Sequence, residues 1–263
     1  MTDWLYRSLR PWPWWQRQMK RALVRLPHRW REVTHFGQRL RVDPSELAGF
    51  WLYYEQDYDD YIFEFLAPRL ARFERAIDVG AHYGIYSVFF GARMKRVDVF
   101  EANPSTARRL RANLALNGQA NVRIHEVCLT NVDGQTNFYV PPKVNEGLGR
   151  VALPRESGVS VPAQRLDTFL GGAIAESCLI KLDIEGGEWL ALEGSQRVLD
   201  HPRHPVALLI EVHPENIQAY GGSVPEFRRR LEAMGYCLRG LTPAGLVPLT
   251  ADPWPRFWWG ESQ

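Results

Sequence analysis

The stretch Ala76-Ile77-Asp78-Val79-Gly80-Ala81-His82-Tyr83-Gly84 constrains the fold more than any other part of the chain. A short apolar run passes directly into a turn that holds two glycines. A second apolar run, Val97-Asp98-Val99-Phe100, ends in Glu101, 23 residues after Asp78. Strand, tight turn, helix, strand and then a carboxylate is the layout of a nucleotide-type cofactor site on a parallel sheet.

The chain continues in the same alternation. The spacing predicts a strand at 76–79, a helix at 84–94 and a strand at 97–100. A helix then starts with Asn103 as cap and Pro104 at its first position, buries Ala107, Leu110 and Leu114, and stops before Gly118. Strands follow at 122–127 and 136–140, then a stretch without clear period at 141–160. Further on come a strand at 179–183, a helix at 187–200, a strand at 206–211, a helix at 224–234 and two late strands at 236–241 and 245–249. Upstream, residues 14–26 and 57–73 have helical periodicity, and 39–55 look irregular. Alternation of this kind implies an α/β fold with a mostly parallel, doubly wound sheet.

Composition sets the surroundings. The 263 residues suffice for one sizeable α/β domain with an extension. Three cysteines, Cys128, Cys178 and Cys237, are widely spaced in apolar runs and read as buried, reduced thiols, which favours a reducing, cytoplasmic setting. No run of eighteen apolar residues exists. The net charge of +2 conceals an asymmetry: residues 1–41 hold nine arginines and Lys20 against Asp3 and Glu32, a net of +8, which leaves −6 for the remainder. Trp4, Trp12, Trp14, Trp15 and Trp30 fall in the same arm. Such an arm suits an anionic membrane surface, where it would hold the protein peripherally, and equally suits packing on the protein's own body or on a second copy. The acidic remainder argues against nucleic acid. The expected organisation is a basic extension at 1–50, a catalytic domain at 51–250 and an aromatic tail at 251–263.

The turn is not the three-glycine dinucleotide fingerprint. His82 stands near the place where a glycine admits a pyrophosphate, so less room is left for a diphosphate. The backbone N–H groups at the helix start suit a smaller anion such as an amino-acid carboxylate. Asp78 would repel a diphosphate and attract an ammonium group, and Glu101 can accept both hydroxyls of a ribose. A ligand with a carboxylate, an ammonium and a ribose is S-adenosylmethionine.

A second constellation offers the chemistry. Lys181-Leu182-Asp183-Ile184-Glu185-Gly186-Gly187-Glu188 places three carboxylates in six residues at the end of a strand, and Ile210-Glu211-Val212-His213 ends another. If the two strands are neighbours, Asp183, Glu211 and His213 face one crevice. Methyl transfer to a hydroxyl needs a base or a metal. Asp183 or His213 could be the base, and a divalent metal joining Asp183 and Glu211 stays open. Glu188 also reads as a first-turn acid complementing a helix dipole, Lys181 as a partnered lysine, and His213 as a cap.

These residues, 78–84 with Glu101, Leu166-Asp167-Thr168-Phe169-Leu170, 181–188 and Ile210-Glu211, resemble the FkbM family of S-adenosylmethionine-dependent methyltransferases over about residues 50–240. The resemblance implies a seven-stranded Rossmann-like sheet with a late antiparallel hairpin, and O-methylation of a hydroxyl-bearing acceptor such as a sugar, a glycoconjugate or a macrolide-type product. It implies that Asp78, Gly80 and Gly84, with Ala81 and His82 completing the turn, hold the methionine part of the cofactor. Glu101 would bind its ribose, Glu126 and Cys128 would flank the adenine, and Asp183 and Glu185 would lie where donor meets acceptor. His82 departs from the family, which commonly has asparagine there. Competing readings are a natural-product methyltransferase, a nicotinamide-dependent oxidoreductase, which the missing third glycine disfavours, and a non-catalytic scaffold.

Overall fold

Five parallel strands form the heart of the molecule, the middle ones buried on both faces. The structure is a computed structural model and describes residues 30–141, 147–153, 156–249 and 253–263. The proposed helix at 14–26 and most of the basic arm lie outside the described residues.

In chain order the strands are β1 (Arg31–His35), β2 (Gln38–Val42), β3 (Arg75–Val79), β4 (Arg96–Phe100), β5 (Val122–His125), β6 (Cys128–Leu129), β7 (Gly134–Tyr139), β8 (Arg150–Val151), β9 (Val159–Gln164), β10 (Cys178–Leu182), β11 (Val206–Glu211), β12 (Tyr236–Thr242), β13 (Gly245–Pro248) and β14 (Phe257–Ser262). The main sheet runs β13-β12-β14-β11-β10-β3-β4-β5. Its β5-β4-β3-β10-β11 half is parallel, and β14, β12 and β13 add antiparallel strands. This is the expected Rossmann-like arrangement, with an eighth strand, β13, supplied by the late hairpin.

The strand order reverses between β3 and β10, so the crevice beyond their carboxyl ends is where an α/β sheet binds ligand. Gly80 follows one strand and Asp183 the other. Two apolar layers cover the sheet. Ala76, Leu179, Ala207 and Leu209 face the layer that includes the helix Ile85–Gly91, whereas Ile77, Ile180, Leu208 and Ile210 face the layer of the helices Glu188–Glu193 and Val224–Ala233. β6 to β9 build a separate four-stranded sheet, in the order β6-β9-β7-β8, against the cleft.

Several expectations change. The tail Trp254-Pro255-Arg256-Phe257-Trp258-Trp259 does not hang free: β14 inserts between β11 and β12, and Trp258 is fully buried. Residues 39–55 contain β2, the helix Leu47–Phe50 and the π-helix Trp51–Glu55. Although β2 lies in the stretch read as an extension, Leu40 and Val42 are buried in the main core. Asn113 in the helix Pro104–Leu116 and Asn117 just after it accept the backbone N–H groups of Arg41 and Arg39 at 2.8 and 2.9 Å and so cover the strand edge. The helix expected at 57–73 shortens to Asp60–Leu66, since Pro68 has no N–H to continue it, and a 3₁₀ turn at Leu70–Arg72 follows. The helix expected at 187–200 divides into Glu188–Glu193 and Gln196–Leu199, because Gly194 packs on Thr130 so closely that a Cβ would lie 2.0 Å from its carbonyl oxygen. Asp167 caps the second piece, accepting from Arg197 and Val198 N–H at 3.0 Å each. Cys128 and Cys178 are buried as expected, but Cys237 is exposed, on the outward side of β12.

Because β14 is interior to the sheet, Trp258→Ala should cost about 3–5 kcal/mol, read as a lower denaturant midpoint by tryptophan-independent far-ultraviolet circular dichroism.

Candidate active site

The turn after β3 is fixed by its neighbours. Gly80 has φ +77°, and a Cβ there would lie 1.9 Å from the Asp183 carbonyl oxygen. Only glycine meets both demands. Gly80 and Ala81 donate their N–H groups to the Phe100 carbonyl at 3.0 and 3.2 Å, and Asp183 N–H donates to the Val79 carbonyl at 3.2 Å. The turn is thereby fastened to β4 on one side and β10 on the other. His82 then takes a left-handed backbone, φ +53°. Its N–H donates to Glu101 Oε2 at 2.8 Å, while Asn103 N–H donates to Glu101 Oε1, also at 2.8 Å. One carboxylate thus joins the turn to the start of the following helix. Burial pushes Glu101 up to about 7, against the pull of these donors.

Beneath the turn lies a buried charge pair. Lys181 on β10 and Asp78 on β3 are register partners. Lys181 Nζ donates to the Gly80 carbonyl at 3.0 Å and stands 3.3 Å from Asp78 Oδ1 and 3.2 Å from Asp183 Oδ2. Ser87 Oγ donates to Asp78 Oδ2 at 2.6 Å. Burial alone would lower Lys181, but the Asp183 and Asp78 charges hold it raised. Lys181 is therefore a partnered cation.

The acids after β10 meet those after β11, which pairs beside it. His213 lies among three of them: Nε2 is 3.5 Å from Glu185 and 3.4 Å from Glu211, and Nδ1 is 3.4 Å from Glu188. Burial opposes its charge, but the neighbouring Glu188 and Glu211 carboxylates push it up to about 12. Glu188, the first residue of its helix, also accepts the Ile184 N–H at 2.8 Å. Glu211 is held down to about 2; burial would raise it, and Arg256 and His213 prevail. Asp183 goes the other way, up to about 6, through burial and then the charge of Glu211. Burial likewise lifts Glu185 to about 7. The backbone here is tightly held. Glu185 and Gly186 have φ of +55° and +92°. Asn216 donates from Nδ2 to the Glu185 carbonyl at 2.9 Å, and a Cβ on Gly186 would lie 2.0 Å from Asn216 Cβ.

A cleft opens at the turn, bounded by Gly80, His82, Glu101, Cys128, Arg150 and Asp183. Residues 78–238 match the family model for the methyltransferase FkbM domain. The chain belongs to the FkbM methyltransferase family. Three solved structures resemble it in fold. Methyltransferase FkbM from Methylobacillus flagellatus KT is 19% identical with a TM-score of 0.43, over 71% of this chain and 43% of that one. An rRNA methylase from Streptococcus thermophilus is 15% identical with a TM-score of 0.43, over 77% and 93%. SMU.1697c from Streptococcus mutans, in complex with SAH, is 14% identical with a TM-score of 0.45, over 77% and 95%. The chain thus spans less than half the length of the Methylobacillus protein. None of the curated proteins compared with the chain matches it.

The family's expected residues divide between cleft and support. Gly80, His82, Glu101, Cys128 and Asp183 line the cleft. Asp78 does not: it is fully buried under the turn and holds Lys181. Gly84 serves packing, since a Cβ there would lie 2.4 Å from Leu110 Cδ1, and Ala81 is buried within the turn. Glu126 departs from expectation; it is exposed and paired with Arg111, leaving Val127 and Cys128 on the cleft wall. His82 is kept neutral, lowered to about 3 by burial and then by the Arg109 and Lys181 charges. Glu185, Glu211 and His213 gather on the far side of Asp183. Sequence reasoning missed Arg256 and Asn216. Arg256 sat in a stretch read as a tail, and the only signal for Asn216 was its place after His213-Pro214.

Ligand atoms of Asp183, Glu211 and His213 lie within 4.8 Å of one another, the spacing a metal would need. The protein's own cations already stand there, however. Arg256 pairs with Glu211, and the His213 imidazolium faces three carboxylates. A divalent ion would have to displace both, so the donor set does not fit one as arranged.

His213 should remain protonated at pH 8, visible as imidazolium shifts in nitrogen-detected NMR. Because its folded value is raised, its stabilising contribution is complete below about pH 6.5, the unfolded value, and is lost as pH rises toward about 12.

Proposed function

We propose that this chain is an O-methyltransferase that moves a methyl group from S-adenosylmethionine to a hydroxyl of a sugar or glycoconjugate. The observation that carries this reading is that one contact, Gly80 against the Asp183 carbonyl, brings a ribose-type carboxylate and a candidate base into the same cleft. The residues present suit the donor. Glu101 is held rigidly by two backbone N–H groups with its carboxylate at the cleft wall. Phe100, Val127 and Leu129 offer an apolar wall of the kind an adenine stacks on. His82 occupies space that a diphosphate would need, which disfavours the nicotinamide reading.

When bound, S-adenosylmethionine supplies an electrophilic methyl carbon on a sulfonium whose sulfur leaves with the bonding pair. The chain must place the acceptor oxygen in line and take its proton. Asp183 is the base in this reading. Its value near 6 keeps it ionised at neutral pH yet more basic than an ordinary aspartate. Lys181, 3.2 Å away, holds the carboxylate and its charge favours the ionised form. His213 is already protonated and cannot take the proton. It serves to neutralise Glu185, Glu188 and Glu211, which lets four acids share one crevice. No step requires a metal.

Two measurements test this. Calorimetry should show binding of S-adenosylmethionine and none of NAD; Glu101→Ala should weaken the former by roughly 1–3 kcal/mol. NAD binding in its place would sink the reading. Labelled methyl transfer into cell glycan extracts should fall on the acid side as Asp183 gains a proton near pH 6, should disappear in Asp183→Asn, and should be unaffected by chelator. Retained turnover in that variant removes Asp183 from the site.

A further inference from the structure

Two residues from outside the matched region 78–238 stand beside the acidic cluster. Arg256 comes from just before β14, and Asp59 from just before the helix Asp60–Leu66, 197 residues away in sequence. Arg256 Nη1 lies 3.4 Å from Asp59 Oδ2, and its Nε donates to Glu211. The Val212 N–H donates to the Arg256 carbonyl at 2.8 Å, which fixes that residue's backbone beside the acidic cluster. The Arg256 side chain is nevertheless 44% exposed, and these two contacts use Nε and Nη1. We infer that Arg256 and Asp59, beside Glu211 and the acidic cluster, form an acceptor-selecting clamp that takes an uncharged polyhydroxyl ring. This rests on the reading above and names the residues that would choose its acceptor.

The backbone supports a functional role for this segment. Gln56 and Asp59 are both non-glycine residues in the left-handed region, with φ of +52° and +51°. They flank Tyr58 and follow directly on the π-helix Trp51–Glu55. Left-handed non-glycine residues persist where surrounding structure holds them, and π-helical turns concentrate at functional sites. Tyr58 is half-buried, and its phenol is held well above its ordinary value, by burial first and then by the charge of Asp183. That places the phenol within electrostatic reach of the proposed base.

Charge decides the class of acceptor. Arg256 is matched by two carboxylates, so it has no surplus charge for a phosphate or uronate. Its planar donors and the flanking carboxylate oxygens form alternating donors and acceptors. Ring hydroxyls, each able to donate and accept, satisfy such an array. Lysine could keep the charge but not the fork.

The test is saturation-transfer NMR on the full chain loaded with S-adenosylhomocysteine, using methyl glucoside, galactoside, mannoside and rhamnoside, with methyl glucuronoside and glucose 6-phosphate as charged probes. At least one neutral glycoside should give signal and the charged probes less. Arg256→Lys and Asp59→Asn should each reduce that signal at least fivefold while S-adenosylhomocysteine binding changes less than twofold by calorimetry. The clamp is overturned if S-adenosylhomocysteine binds but no neutral glycoside does, if charged probes are preferred, or if both variants keep the wild-type signal. Failure of S-adenosylhomocysteine to bind would instead refute the donor assignment itself.

Discussion

The Lys181 ammonium is the interaction on which the rest of the site depends. It sits on a central strand of the sheet, almost without solvent, in a row that is apolar apart from Lys181 and Asp78: Val99, Asp78, Lys181, Leu209 and Trp259 align across four strand pairings. Burying one cation there costs several kcal/mol unless it is paired and hydrogen-bonded. Asp78, Asp183 and the Gly80 carbonyl meet that requirement together. In doing so they join three parts of the chain: the floor of β3, the turn above it and the acidic end of β10. Removing either partner would leave a buried charge uncompensated, at roughly 3–5 kcal/mol.

The same logic extends outward. Two more cations, His213 and Arg256, stand among Glu185, Glu188 and Glu211, and between them the acids sort into unlike states. Glu211 stays strongly acidic because Arg256 and His213 outweigh its burial, whereas Asp183 and Glu185 are lifted because burial outweighs theirs. Adjacent acids with values pushed apart are what general-base chemistry at neutral pH needs. The backbone at His82 and Glu185 is held in the left-handed region on either side of the cleft. In each case a hydrogen bond restrains it, from His82 N–H to Glu101 and from Asn216 to the Glu185 carbonyl. Strain of this kind is sustained by the packing around it.

What the sequence made legible was local. The turn at Gly80, the cap at Asn103 with Pro104, and the stripe of Ala107, Leu110 and Leu114 follow from period, glycine placement and capping chemistry, and each stands where expected; of the acids at 183–188, Asp183 lines the cleft. What escaped was set by partners far along the chain. Glu126 looked like a cleft residue until Arg111 drew it to the surface. Asp78 looked like a ligand contact, but its register partner is Lys181. The tail at 254–259 looked like a stray aromatic segment, because nothing local says that β14 enters between β11 and β12. That insertion carries Arg256 to the site.

The most direct test of this account is the crystal structure of the full chain grown with S-adenosylhomocysteine. It should show the ribose hydroxyls on Glu101, the nucleobase against Val127 and Cys128, and the sulfur facing Asp183, with the Lys181 contacts to Gly80 and Asp183 unchanged. Ligand density elsewhere, or a ribose that leaves Glu101 uncontacted, would contradict it.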